Sequence, residues 1–242
     1  MRNQTLGNIG IVGNGSWGTA LAKILTDKGT QIHWWVRNTN AMNHLKTRHH
    51  NPQYLTSVRF LPETILPTDN LLDVVTNCDT LIIAVPSAYA QSVLESIDIN
   101  LLKGKKIVSA IKGILPESNL LLNDYLAKYE WFDLQNYVAI TGPCHAEEVA
   151  QERLSYLTFS GLNDELTSAV AEAFKSPYIF TTYNHDIWGA QFAAVLKNIY
   201  AIGAGMAHGL DYGDNFLSVY ITNCYREMYR FLDAHFDKVH PS

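Results

Sequence analysis

From residue 8 to about 182, short β-branched runs alternate with longer amphipathic segments, the pattern of βαβ units around a parallel sheet. The runs at 9–12, 31–36, 80–85, 106–111 and 137–140 predict strands, with 155–160 and 178–182 as shorter additions. Between them, 16–27, 88–96, 118–129 and 164–174 carry apolar residues at helical spacing. After about residue 184 the pattern changes. Segments 185–208 and 215–236 contain no proline and repeat apolar positions every three or four residues, which predicts two long helices. Ala193, Ala194, Ala201, Gly203, Ala204 and Gly205 give the first of them small faces for close approach, so it is expected to be buried. The expected fold is α/β, a Rossmann-type doubly wound sheet over 1–184, followed by an all-helical and here incomplete unit over 185–242. Two helices are thin for an independent core.

The strongest motif is Gly13-Asn14-Gly15-Ser16-Trp17-Gly18, which leaves the first predicted strand and opens the first predicted helix. In that setting Gly13 permits the tight turn, Gly15 lets backbone approach a pyrophosphate, and Gly18 permits close helix packing. The helix N-terminus offers free N–H groups to anionic oxygens. About 20 residues further on, dinucleotide-binding folds commonly place an acidic residue on the ribose hydroxyls. Here the stretch reads Trp35-Val36-Arg37-Asn38. Arg37 is suited to a 2′-phosphate, which tilts the expected cofactor toward NADP without excluding NAD.

Composition narrows the partners. The 242 residues are 47% hydrophobic, enough to bury one large or two modest cores, and a net charge of −5 gives no sequence-wide attraction to nucleic acid. Cys78, Cys144 and Cys224 are widely spaced and odd in number, which suggests neither disulfides nor a metal site and fits a reducing cytoplasm. The polar start MRNQTLGN lacks a secretion signal, and no apolar run approaches the roughly 20 residues of a membrane span. The histidines at 44, 49, 50, 185, 208, 235 and 240 form no ligand set at known spacing, so no metal is expected. Cys144 beside His145 could suggest thiol chemistry, but no third orienting group is identifiable.

Several separated segments resemble, in order and approximate spacing, the bacterial NAD(P)-dependent glycerol-3-phosphate dehydrogenases. They are GNGSWGTA (13–20), WVRN (35–38), NPQYL (51–55), AVPS (84–87), KGI (112–114), GPCHAEEVA (142–150), LKNI (196–199) and GDN (213–215). The resemblance implies hydride transfer between NAD(P) and the pair sn-glycerol 3-phosphate and dihydroxyacetone phosphate, supplying the glycerol backbone of phospholipids. Ser16 and Trp17 would lie along the dinucleotide, Arg37 and Tyr54 near its adenosine end, and Ala146 against it from the GPCHAEEVA loop. Lys112 would touch both cofactor and substrate. Lys197 would be the general acid or base, its pKa lowered by desolvation in an Ala- and Gly-rich helix. Asn198 would orient the substrate, and Gly142 and Cys144 would meet it.

Departures from the family pattern also carry expectations. Cys144 stands where a serine is expected, and Leu217 and Asn223 stand where basic residues are common, with Arg226 one turn later. Family members continue through further helices that carry an Asp in a Gly-Asp-Leu stretch and an Arg-Asn pair gripping the substrate phosphate; neither occurs here. Cofactor binding is therefore expected to survive while turnover is impaired. Val219, Met228 and Phe231 are expected to lack partners, which predicts self-association, with a homodimer among the outcomes. Two other readings remain open: a cofactor-binding module without catalysis, and another dehydrogenase pairing a Rossmann domain with a helical one.

Overall fold

The computed structural model describes residues 5–236. The ends at 1–4 and 237–242, including His240, lie outside the described residues.

The chain begins with β1 (Ile9–Val12), α1 (Ser16–Asp27), β2 (Ile32–Trp35), α2 (Thr39–Arg48), β3 (Ile65–Thr68), α3 (Leu71–Asn77), β4 (Thr80–Ile83) and α4 (Ser87–Glu95). It continues through β5 (Lys106–Ser109), α5 (Leu122–Leu126), β6 (Tyr137–Thr141), α6 (Ala146–Ala150), β7 (Ser155–Ser160), α7 (Asp164–Phe174) and β8 (Ile179–Asn184). Two long helices follow, α8 (Ile187–Gly209) and α9 (Gly213–His235). The strands form one sheet in the order β3-β2-β1-β4-β5-β6-β7-β8. All neighbours are parallel except β6 and β7. The first six strands have the doubly wound order in which the chain reverses direction across the sheet beside β1.

Burial explains the strand sequences. The sheet is covered on both faces, so β1 (IGIV) and β4 (TLII) are buried at every position, as uninterrupted runs in a parallel sheet should be. One face packs Ile11, Leu21, Trp34, Phe159 and Phe174 into a single cluster. The other packs Val74, Leu81, Ile83, Leu122 and Tyr137.

Three features depart from the sequence expectations. β3 was not foreseen because Pro67 interrupts its apolar run. The strand is tolerated because it lies at the sheet edge, where a missing N–H leaves no interior ladder unpaired. The helix expected over 118–129 shrinks to α5, because Leu115 and Leu120 pair across a turn in which Asn119 takes φ +56°. The third correction concerns α8, which is not buried throughout. Ile187, Gly189 and Gln191 near its start are buried, but Ile199, Ile202 and Met206 are exposed, because α9 flanks the helix on one side only.

The start of α8 is fastened to the sheet by a buried polar clasp. The Tyr137 hydroxyl donates to Gln191 Oε1 at 3.0 Å, and Gln191 Nε2 donates to Asn123 Oδ1 at 2.9 Å. Beside it, Trp188 Nε1 donates to Asp124 Oδ1 at 3.0 Å, and Asp186 caps the helix through Gly189 N at 2.8 Å. The expectation of unpartnered residues on α9 holds unevenly: Val219 is exposed, whereas Phe231 sits 6.3 Å from the Phe192 ring and Met228 is half-buried.

Candidate active site

The loops that follow β1, β2, β4, β5 and β6 all emerge at the carboxyl end of the parallel sheet, where open α/β folds bind ligands. The glycine loop is shaped by contacts that only glycine allows. Gly13 has φ +118°, and a Cβ there would stand 2.8 Å from the Ala84 carbonyl oxygen; one on Gly18 would press into the Gly13 carbonyl. At Gly15 a Cβ would meet nothing within 4 Å, so this position faces open space. No side chain caps α1 and its first turn holds no acidic residue, so its N-terminal N–H groups and partial positive charge stay available to an anion.

The loop is braced from below. Trp34 Nε1 donates to the Gly13 carbonyl at 2.9 Å. Asn51, fully buried, donates to the Asn14 carbonyl and to Thr19 Oγ1, both at 2.8 Å, while its own oxygen accepts from the backbone of Gln53 and Tyr54. One amide therefore couples the glycine loop to the loop bearing Tyr54, which is exposed. Arg37 lies after β2 with its guanidinium 5.8 Å over the ring of Tyr89 in α4. Sequence reasoning assigned no role to Asn51 or Tyr89. The NPQYL segment held the signal for Asn51, since Asn before Pro favours a side chain that closes its own turn.

A second group forms around Lys112, apart from Arg37 and Tyr54. Its ammonium lies 4.5 Å from the centroid of the Trp17 ring. Shelter from water lowers its pKa first, the positive charge of Lys197 lowers it further, and Cys144 pulls it slightly back. Burial pushes the Cys144 thiol up, against smaller opposing effects of Ser155 and Lys112, which keeps it protonated and unsuited to nucleophilic attack. Gly142 adopts φ +117° where a Cβ would run into the Tyr156 carbonyl oxygen, and Ala146 opens α6 inside the core beneath α1. Lys197 and Asn198 are both exposed on α8, so the desolvation expected around Lys197 is absent; the side chain stands beyond the buried start of the helix. Asn198 makes no side-chain hydrogen bond among the described residues. The site thus gathers Trp17, Lys112, Cys144 and Lys197, with Arg37 and Tyr54 away toward the other end of the glycine loop.

The family model for the N-terminal part of NAD-dependent glycerol-3-phosphate dehydrogenase matches residues 8–167, about two thirds of the chain, and the model for its C-terminal part matches 186–240. The chain belongs to the NAD-dependent glycerol-3-phosphate dehydrogenase family. It is 34% identical over 226 residues to glycerol-3-phosphate dehydrogenase [NAD(P)+] of Geobacillus kaustophilus, an alignment spanning 92% of this chain and 65% of that relative. The crystal structure of glycerol-3-phosphate dehydrogenase from Coxiella burnetii superposes with a TM-score of 0.85 at 27% identity, covering 97% of this chain and 71% of that one. The Plasmodium falciparum enzyme gives a TM-score of 0.87 at 26% identity over 97% and 68%. The chain therefore spans a little under two thirds of the length of the first of these glycerol-3-phosphate dehydrogenases. No helix among the described residues is long and apolar enough to cross a membrane.

Proposed function

We propose that this chain binds NAD(P) along the glycine loop and interconverts dihydroxyacetone phosphate and sn-glycerol 3-phosphate. The supporting observation is that Lys112, at the carboxyl end of the sheet beside an uncapped helix N-terminus, lies within electrostatic reach of Lys197. Two neighbouring cations repel each other unless an anion lies between them, so the pair suits a phosphorylated substrate whose carbonyl oxygen gains negative charge as it reacts.

The open space at Gly15 and the free N–H groups of α1 fit the pyrophosphate of a dinucleotide, with Gly13, Gly18, Ser16 and Trp17 lining it and Ala146 beneath. Bound nicotinamide would supply the hydride. The chain's own residues do the rest. Arg37, facing Tyr89, favours a 2′-phosphate and thus NADP, with Tyr54 beside the adenosine. Lys112 holds the substrate against the cofactor, and Gly142 and Cys144 bound it on the far side. Lys197 gives a proton from Nζ to the carbonyl oxygen during reduction and takes it back during oxidation, while Asn198 orients that oxygen. In this reading residues 1–184 form the cofactor unit and 185–242 carry the proton-transferring helix.

Three further readings accompany it. The chain works in the cytoplasm; its net charge of −5 gives no general affinity for nucleic acid; and the exposed Ile199, Ile202, Val219 and Ile221 of α8 and α9 favour a homodimer. The deciding experiment follows nicotinamide fluorescence as NADPH and NADH are titrated into the purified chain, then absorbance after dihydroxyacetone phosphate is added. Binding followed by oxidation is expected. Binding without oxidation reduces the chain to a cofactor-binding module, and no binding refutes the proposal.

A further inference from the structure

Lys112 is an exposed residue with no carboxylate beside it. None of the ion pairs among the described residues involves it, and it lies within electrostatic reach of a second cation, Lys197. Lys23, which is buried, takes two carboxylates, Asp27 at 2.6 Å and Glu152 at 3.0 Å. What Lys112 has instead is an aromatic face: its Nζ stands 4.5 Å from the centre of Trp17, the closest cation–ring contact among the described residues and one made to the aromatic side chain with the strongest negative face. The ring is fixed by packing. Trp17 lies against the core cluster beneath α1, and its indole N–H is buried with no hydrogen-bond partner, so no polar contact sets its orientation.

We propose that Trp17 is a positioning residue for Lys112, its indole face standing in for the counter-ion that would otherwise hold the ammonium. The advantage over a carboxylate is chemical. A carboxylate would neutralise Lys112 and compete with an incoming anion, whereas a π face steadies the ammonium and leaves its charge free for a substrate phosphate or a developing oxyanion. This deepens, and rests on, the reading of Lys112 as a substrate-binding lysine. It gives Trp17 a task separate from contact with the dinucleotide: one ring on the glycine loop fixes the substrate lysine relative to the cofactor site before either ligand arrives. The groups facing Lys112 are the Trp17 ring at the start of α1, the Cys144 thiol before α6 and the Lys197 ammonium on α8.

The test reads Lys112 in the chain without cofactor or substrate, as the pH profile of its reaction with an amine-selective reagent, resolved by mass spectrometry of the peptide. Trp17→Leu keeps apolar bulk beside the ammonium and removes the negative face. It is expected to shift the Lys112 midpoint downward, a change of about three- to thirtyfold in the protonation equilibrium. Trp17→Phe and Trp17→Tyr retain a ring and are expected to fall between wild type and the leucine variant. Fluorinated tryptophan incorporated throughout keeps the shape and depletes the ring face, so it must move the midpoint the same way even if Trp17→Leu does not fold. A midpoint unchanged by the fluorinated residue, or by Trp17→Leu in a folded chain, overturns the proposal. Because no turnover is needed, a chain that fails to oxidise NADPH still delivers this answer.

Discussion

The two ends of α1 meet a lysine in opposite ways. Near the C-terminal end, Lys23 is packed under Tyr178 and held by Asp27 and Glu152, while the Tyr178 hydroxyl donates to Asp27. The Tyr178 hydroxyl is pushed up by burial and by the Asp27 hydrogen bond, so this cluster keeps one arrangement across the physiological range. At the N-terminal end, Lys112 reaches the same helix and finds only a π face and another lysine. The first arrangement satisfies its charge and ties α1 to the segment after α6. The second leaves a charge without a carboxylate partner and open to an incoming anion.

The sharpest way to break this contrast is to remove each cation while keeping its stem. Lys112→Met is expected to lower kcat/KM for dihydroxyacetone phosphate by about 10²–10⁴-fold, with urea unfolding unchanged or slightly strengthened. A variant unfolding far earlier than wild type would show that Lys112 is structural after all. Lys23→Met should do the reverse. It strands Asp27, itself partly exposed, and is expected to cost about 1–3 kcal/mol in urea unfolding, while NADPH affinity per folded molecule stays within a few-fold. Asn51→Ala tests whether the N-terminal end owes its shape to long-range bracing. It leaves the Asn14 carbonyl and two backbone N–H groups without their partner, for about 1–3 kcal/mol, and NADPH titration should show weaker binding.

The pH dependence carries a definite sign. Burial holds Lys112 below the ordinary 10.5, so between its lowered value and 10.5 the unfolded chain binds more protons there. Stability therefore gains from this group as pH rises through that window. Inorganic phosphate, which prefers the protonated form, should lose affinity over the same rise. Lys112→Met should abolish both trends, which chemical denaturation and phosphate titration across alkaline pH would detect. The smallest effect is expected of Glu152→Gln: the carboxylate is 63% exposed, so the loss should stay below about 1 kcal/mol in thermal unfolding.

How far the sequence foretold the molecule depended on distance along the chain. β1 and α1, β7 and α7 have the bounds that periodicity predicts, because each is a local apolar pattern closed by its own glycine, asparagine or turn. The glycine loop was legible for the same reason. β3 was hidden because Pro67 is acceptable only at an edge, and edge position belongs to the sheet rather than to four residues. The Ala- and Gly-rich face of α8 announced close packing without saying how much of the helix would be packed, so Lys197 was expected in a drier place than it occupies. Asn51 acts on Asn14, 37 residues away, and Trp17 meets Lys112 across two strands of the sheet. Both contacts exist only once the strands are in order.

Mechanically, α8 is a beam built in at one end. The Gln191 clasp is its root, and Lys197 lies six residues beyond, roughly 9 Å along the axis, while the tip at Gly209 is roughly 27 Å out. A tilt of about 5° at the root swings the tip by more than about 2 Å but shifts Lys197 by less than about 1 Å. Lys197 thus rides on the stiff part of a long lever, so whatever loads the free end reaches it scaled down about threefold.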